Sequence, residues 1–233
     1  MGVTEVIFAL ETTGFTTKDE IFLISAVPIT GKTPIPNFSR YVIPSCAISE
    51  YASAQTSVTK CLADEVEGLK TPSGVFSGAY FSIKKVLEDF ITFLEGISFS
   101  TETDTKANVT LISHDCLKGH AEVLAKALRS NGLESRSLEV ISGFCDSKLL
   151  AKDTFPNLLE YSLAGLMRQF LNRVRSVPSD TLSEAVALRD LVREMDLGIP
   201  TATVGSRARR ELGSFFEELA RSEATSKSVK FHE

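Results

Sequence analysis

The sequence predicts an α/β fold, a mixed sheet flanked by helices. Two observations carry that prediction. Three strand-like segments lie within residues 5–43, separated by turn residues. Beyond residue 80 the apolar residues fall at helical steps, interleaved with short apolar runs that suit buried strands. Strands first, then β and α in alternation, imply a sheet with an antiparallel and a parallel part. The chain has 233 residues, 43% hydrophobic and 24% charged, enough for one domain with a full core. No internal repeat or long linker divides it.

Residues 5–10 (EVIFAL) form an apolar run, and Thr-Thr-Gly at 12–14 supplies the turn after it. Residues 20–29 (EIFLISAVPI) are rich in β-branched side chains and read as a second strand. Gly31 and Pro34 punctuate the path to a third strand at 37–43, closed by Pro44. Residues 54–66 have moderate helical spacing, and the Gly/Ser/Pro-rich 68–80 reads as a loop. Within 81–97, Ile83, Val86, Leu87, Phe90, Phe93, Leu94 and Ile97 share one helical face. A polar loop at 99–107 and a buried strand at 108–113 (NVTLIS) follow. The helix predicted over 118–131 stops at Asn131-Gly132. A strand at 137–144 and a helix near 161–174 come next. Ser179 or Asp180 caps a helix over 181–195, with Glu184 in the capping-box position. A last helix spans 206–222. The domain is read as 1–222, and 223–233 as a disordered tail.

The net charge of −5 argues against a sequence-independent nucleic-acid coat protein, which needs a basic excess. No apolar run approaches the length of a membrane span, so no membrane partner is expected. MGVTEVIFAL lacks a basic n-region and a cleavage site, so no secretory signal is read. Cys46, Cys61, Cys116 and Cys145 form no C-x-x-C pair, which argues against a zinc knuckle or thioredoxin-type site. They read as reduced, intracellular and mostly buried. Only His114, His120 and His232 are available for imidazole chemistry.

FALETTGF (8–15) ends a buried strand on a carboxylate beside Thr-Thr-Gly, a platform for a metal and a phosphate. It resembles the first motif of the DnaQ-like (DEDDh) 3′–5′ exonuclease superfamily. Residues 21–60 are similar to that family's second and third strands and the following loop. LISHDCLKGH (111–120) resembles the second motif, EAVALRD (184–190) the third, and YSLAGL (161–166) the helix between them. The resemblance implies an RNase H-like mixed five-stranded sheet, three antiparallel strands and then parallel ones. It also implies a site in which four carboxylates hold two divalent metals and a His is the general base.

Carried over by position, the resemblance implies a dismantled site. The first Asp falls on Ala9, and Glu11 keeps the second carboxylate. The Asp of the second motif falls on His120, or on Gly119 with the shorter spacing. The general-base His falls on Ala185, and Asp190 keeps the last carboxylate. Glu11 and Asp190 are therefore the vestigial catalytic and metal-binding residues, with Ala9, His120 and Ala185 degenerate. Thr12 and Thr13 are the nucleic-acid contacts implied. Two carboxylates are too little charge for two magnesium ions, and no base remains in place. The expectation is an inactive domain without a cofactor. The alternative is a magnesium- or manganese-dependent exonuclease in which Ala9 is an engineered Asp-to-Ala knockout.

VISGFCDSKLLAKDTFPNLLEYSLAGLMRQFL, DTLSEAVALRDLVREMDL and YFSIKKVLEDFITFLEGI carry a narrower resemblance, over residues 75–197. They look like the exonuclease-like C-terminal domain of the promyelocytic leukaemia protein and its paralogues. That implies a nuclear location, in nuclear bodies or the nucleolus, with protein partners there. It further implies an interaction or targeting role, with at most weak DNA or RNA binding.

Other residues admit two readings. Asp190 is a remnant ligand or an ordinary carboxylate paired with Arg189 or Arg193. His114 closes a strand by bonding backbone. His120 is an unused imidazole or, with Glu11 and Asp190, a zinc or manganese ligand. Cys116 and Cys145 are packing residues. Arg207, Arg209 and Arg210, and Arg168, Arg173 and Arg175, are solvated helix surfaces or phosphate contacts. In the 68–80 loop and just after it, Val75, Phe76, Tyr80 and Phe81 offer a partner contact unless Phe76 turns into the core.

Overall fold

The structure is a computed structural model that describes residues 3–16, 18–30, 36–63, 66–77, 82–98, 108–117, 119–174, 181–197 and 207–230. Gly31, Pro34, Tyr80, Phe81, the 99–107 loop, Arg175, Ser179, Asp180 and His232 lie outside the described residues.

The expected meander forms first. β1 (Val3–Thr12) pairs antiparallel with β2 (Ile21–Pro28), which pairs antiparallel with β3 (Phe38–Tyr41). β7 (Asn108–Ser113) then lies parallel to β1, and β8 (Ile141–Asp146) parallel to β7. This is the mixed sheet of an RNase H-like fold. A sixth strand corrects the expected five. β9 (Arg209–Glu211) adds antiparallel to β8, giving the order β3-β2-β1-β7-β8-β9. It approaches so closely that a Cβ on Gly143 would lie 2.4 Å from the Arg210 carbonyl oxygen. Only glycine lets these two backbones meet.

Strand alternation divides the core. Val6, Phe8 and Leu10 of β1 face α2 (Ile83–Ser98), α3 (His120–Ser130) and α8 (Leu212–Lys230). Ile7 and Ala9 face α6 (Leu163–Leu171) and α7 (Thr181–Glu194). Cys116 and Cys145, both fully buried, belong to these opposite faces. Burial pushes both thiols up, Cys145 to about 12, so they pack rather than react. Cys46 is exposed and Cys61 partly so, against the expectation of mostly buried thiols.

The segment from 54 to 80 differs most from expectation. α1 (Glu50–Thr56) is capped by the Ser49 hydroxyl and ends at Ser57 in the left-handed region. Three short strands then follow: β4 (Thr59–Ala63), β5 (Val66–Thr71) and β6 (Gly74–Ser77), forming a second antiparallel sheet. The Pro-Ser-Gly cluster is a hairpin turn, not part of a long loop, with Gly74 at φ 138°. Leu69 is buried against Phe22 and Leu23. Phe76 stacks on Tyr41 with centroids 5.0 Å apart, so it packs inward while Val75 stays exposed.

Further along, α4 (Glu134–Leu138) occupies the start of the strand expected at 137–144, which forms instead as β8. α5 (Ser147–Thr154) follows at once. α8 runs on through the stretch read as a tail, and Glu223 pairs with Arg129 at 3.4 Å. Among the described residues, no helix is long and apolar enough to cross a membrane.

Candidate functional site

A cavity of about 450 Å³ opens where β1 and β7 end and α3 begins, with Thr12, Phe15, Thr16, His114, Asp115 and His120 in its wall. Its first border is the turn after β1. The strand bulges between Glu11 and Thr12, and the Thr12 hydroxyl donates to the Gly14 carbonyl at 2.7 Å. Thr13 turns inward: its hydroxyl accepts from the Glu20 N–H at 3.0 Å and donates to Asp19 at 3.2 Å. Thr13 thus fastens the loop and does not line the cleft, which corrects its expected role as a nucleic-acid contact. The Thr16 hydroxyl and backbone N–H hold the Asp19 carboxyl below its ordinary range.

The second border is fastened by His114 and Asp146. A carbonyl can only accept, so His114 Nε2–H donates to the Tyr161 carbonyl at 2.9 Å, and the neutral ring's Nδ1 accepts from Ser147 at 3.0 Å. Burial lowers its pKa and keeps it neutral. This is the structural role expected of it. Asp146 is buried at the end of β8 and takes four backbone N–H groups: Asp115, Leu117, Lys148 and Leu149, at 3.0–3.4 Å. It caps α5 and pins the β7–α3 turn at once. Asp115, at φ 55°, pairs with Lys148 at 2.5 Å.

His120 opens α3, where Gly119 supplies no capping side chain. Its Nδ1 is buried with no hydrogen-bond partner. Desolvation lowers its pKa, the field of Glu184 opposes that, and the positive end of α3 also disfavours imidazolium. His120 is a neutral ring, not a hard oxygen ligand.

Ala9 and Ala185, the other positions that the resemblance reads as degenerate, lie on the α7 side of the sheet. Ala9 packs against that core and Ala185 is buried within it. Asp190 is held by Arg173 of the segment after α6, at 2.8 Å, and by Arg189, at 2.9 Å. Burial raises its pKa, but the hydrogen bonds of Arg189 and Arg173 outweigh that and hold the carboxyl low. Arg189 is thus one of the two partners weighed from the sequence. Arg193 is not the other: it donates to the Ile29 carbonyl. Neither Glu11 nor Asp190 lines the cavity.

These residues do not fit a two-metal centre. Among the described residues, no group of three or more His, Cys, Asp or Glu is placed to hold a metal ion, the cluster of Glu11, Asp190 and His120 included. Two guanidinium groups already occupy the oxygens of Asp190 that a metal would need.

The described residues of the two arginine groups have partners within the chain. Arg168 pairs with Glu160, Arg207 with Asp153, and Arg210 with Glu218. Arg209 is buried on Thr110 and Ser142. The first three are surface ion pairs and the last is a core contact.

The sheet order, the turn after β1 and the cleft at its end converge on one family. The sequence model of the Exuperantia RNAse H-like domain matches residues 3–171. The chain belongs to the Exuperantia RNAse H-like domain family. Curated proteins give no match. In this RNAse H-like domain the match runs from β1 to the end of α6, so α7, with Ala185 and Asp190, lies beyond it. Asp146 is the residue that sequence reading missed. The one signal for it was Asp-Ser just before a helical run, an N-cap pattern hidden because the helix over 147–154 was not read.

Proposed function

We propose that this RNAse H-like domain is a catalytically inactive, exonuclease-like module that serves a nuclear protein as an interaction or targeting unit. The observation that carries the reading is Asp190, the last carboxylate of the inherited set, closed off by Arg173 and Arg189. Ala9 and Ala185, packed in the apolar layer beneath α7, support it. A metal ion needs open carboxylate oxygens, and a water nucleophile needs a base. Both oxygens of Asp190 are engaged by arginines, and Ala185 stands where the resemblance puts the base. The location in nuclear bodies or the nucleolus, and protein partners there, are supported by the resemblance of residues 75–197 to the promyelocytic leukaemia protein's C-terminal domain.

Weak single-stranded nucleic-acid binding belongs to the same reading. Phe15 and Tyr51 sit edge to face at 4.6 Å, are 77% and 55% exposed, and Phe15 lines the cleft. Exposed rings of this kind stack on bases regardless of sequence.

The test is incubation of the chain with end-labelled single- and double-stranded oligonucleotides and magnesium or manganese. The expected result is no shortening above a Glu11→Ala control, and none for Ala9→Asp. Time-dependent shortening by either chain would overturn the proposal.

A further inference from the structure

Two residues of the cleft bear on which base it takes. Phe15 is exposed in its wall and offers a stacking face. Stacking alone does not tell one base from another. Asp115 stands in the same wall, and its carboxylate is 66% exposed. Its backbone is fixed: the N–H donates to the buried Asp146 carboxylate, and φ is 55°. Lys148 contacts one oxygen, Oδ2, at 2.5 Å. A carboxylate has about four lone-pair sites, so both oxygens keep acceptor capacity.

An ionised carboxylate only accepts, and it is bound best by two parallel donors. The bases differ in this respect. Uracil and thymine present a single ring N–H. Adenine and cytosine present a single amino group beside a ring acceptor. Guanine alone sets a ring N–H, at N1, beside an amino group, at N2. The next atom along that edge, O6, accepts and needs a donor. α3 opens into the cavity at Gly119 and His120, and the first N–H groups of a helix have no acceptor within it. Gly119 leaves their approach open, since a Cβ there would meet nothing within 4 Å. Asp115 repels phosphate, so its recognition falls on an uncharged base edge.

We infer that the cleft selects guanine, with the ring stacked on Phe15 and its N1–H and N2 amino group donating to Asp115. The inference rests on the reading that the cleft binds a single-stranded base.

The test titrates the whole chain with GMP, IMP, AMP, CMP and UMP, which carry the same charge, and follows the backbone amide resonances of Phe15, Asp115 and His120. GMP should bind at least about tenfold more tightly than AMP, CMP or UMP. IMP lacks the amino group and should fall at least about fivefold below GMP. The trinucleotide AGA should exceed AAA by the same margin as GMP exceeds AMP, which places the base in a strand. Asp115→Asn keeps the fold, because Asn also tolerates the left-handed region and an exposed ion pair contributes little. It should abolish the preference for GMP and favour XMP, whose 2-oxo group accepts from the Asn amide. Equal binding of the five nucleotides, equal binding of AGA and AAA, or an unchanged GMP preference in Asp115→Asn would each overturn the inference and leave base stacking intact. Absence of binding by every nucleotide and trinucleotide would overturn the single-stranded reading with it.

Discussion

Asp146, at the end of β8, and Asp190, on α7, stand in two regions of the domain and are held in opposite ways. Asp146 is buried at the end of β8 and satisfied by four uncharged backbone donors from two turns. Asp190 lies partly exposed on α7 and is satisfied by two arginines. The first carboxylate ties elements together, so its loss releases both turns. The second is neutralised where it stands, and little else depends on it. The difference teaches that a carboxylate's place in a motif says less about its role than the donors around it do.

That contrast is open to direct attack. The largest effect belongs to Asp146→Ala, which leaves four part-buried N–H groups without their acceptor and should cost about 2–3 kcal/mol. Urea denaturation reads it, and a loss under about 1 kcal/mol would remove the keystone role. Ala9→Asp comes next. It places a carboxylate against the apolar layer under α7 and should cost about 1–3 kcal/mol, read as a lower denaturation midpoint.

Acid should act next, and on the Asp146 side of the cleft. His114 and His120 both have lowered folded pKa values, so the unfolded chain binds protons that the folded chain refuses. Stability from this source is complete above the ordinary histidine value near 6.5 and declines as pH falls below it. The melting temperature should therefore drop between pH 7.5 and 5.5, and less so in His120→Leu. An equal drop in that variant would assign the effect to His114 alone. Asp190→Asn should change least, under about 1 kcal/mol, because a part-exposed ion pair contributes little. A loss as large as that of Asp146→Ala would erase the distinction between the two sites.

Much of the scaffold was legible because its signals are local. The seven apolar residues of α2 repeat at helical steps, and β2 is a run of buried side chains, so both declare themselves. The cleft was legible in part, since Glu-Thr-Thr-Gly directly follows an apolar strand. The small β4–β5–β6 sheet was not. Its strands are four to six residues long and derive their stability from Leu69 and Phe76 meeting Phe22, Leu23 and Tyr41, which are distant in sequence. β9 was hidden for the same reason. Three residues, Arg209–Glu211, carry no period, and they pair with β8 because Gly143 leaves room for them.

The sequence by itself determined the order of the main elements, the turn after β1 and the presence of Ala9, His120 and Ala185, none of which is a carboxylate. These are matters of residue identity and short-range spacing, and no fold can restore a missing side chain. Tertiary structure alone decided what the surviving groups do. Thr13 turned from the cleft into its loop, Asp190 met Arg173 from across a chain connection, and Asp146 gathered donors from two separate turns. Hydrogen bonds and ion pairs act over a few ångströms of space rather than along the chain. A side chain's partners are therefore set only when the sheet and helices have closed around it.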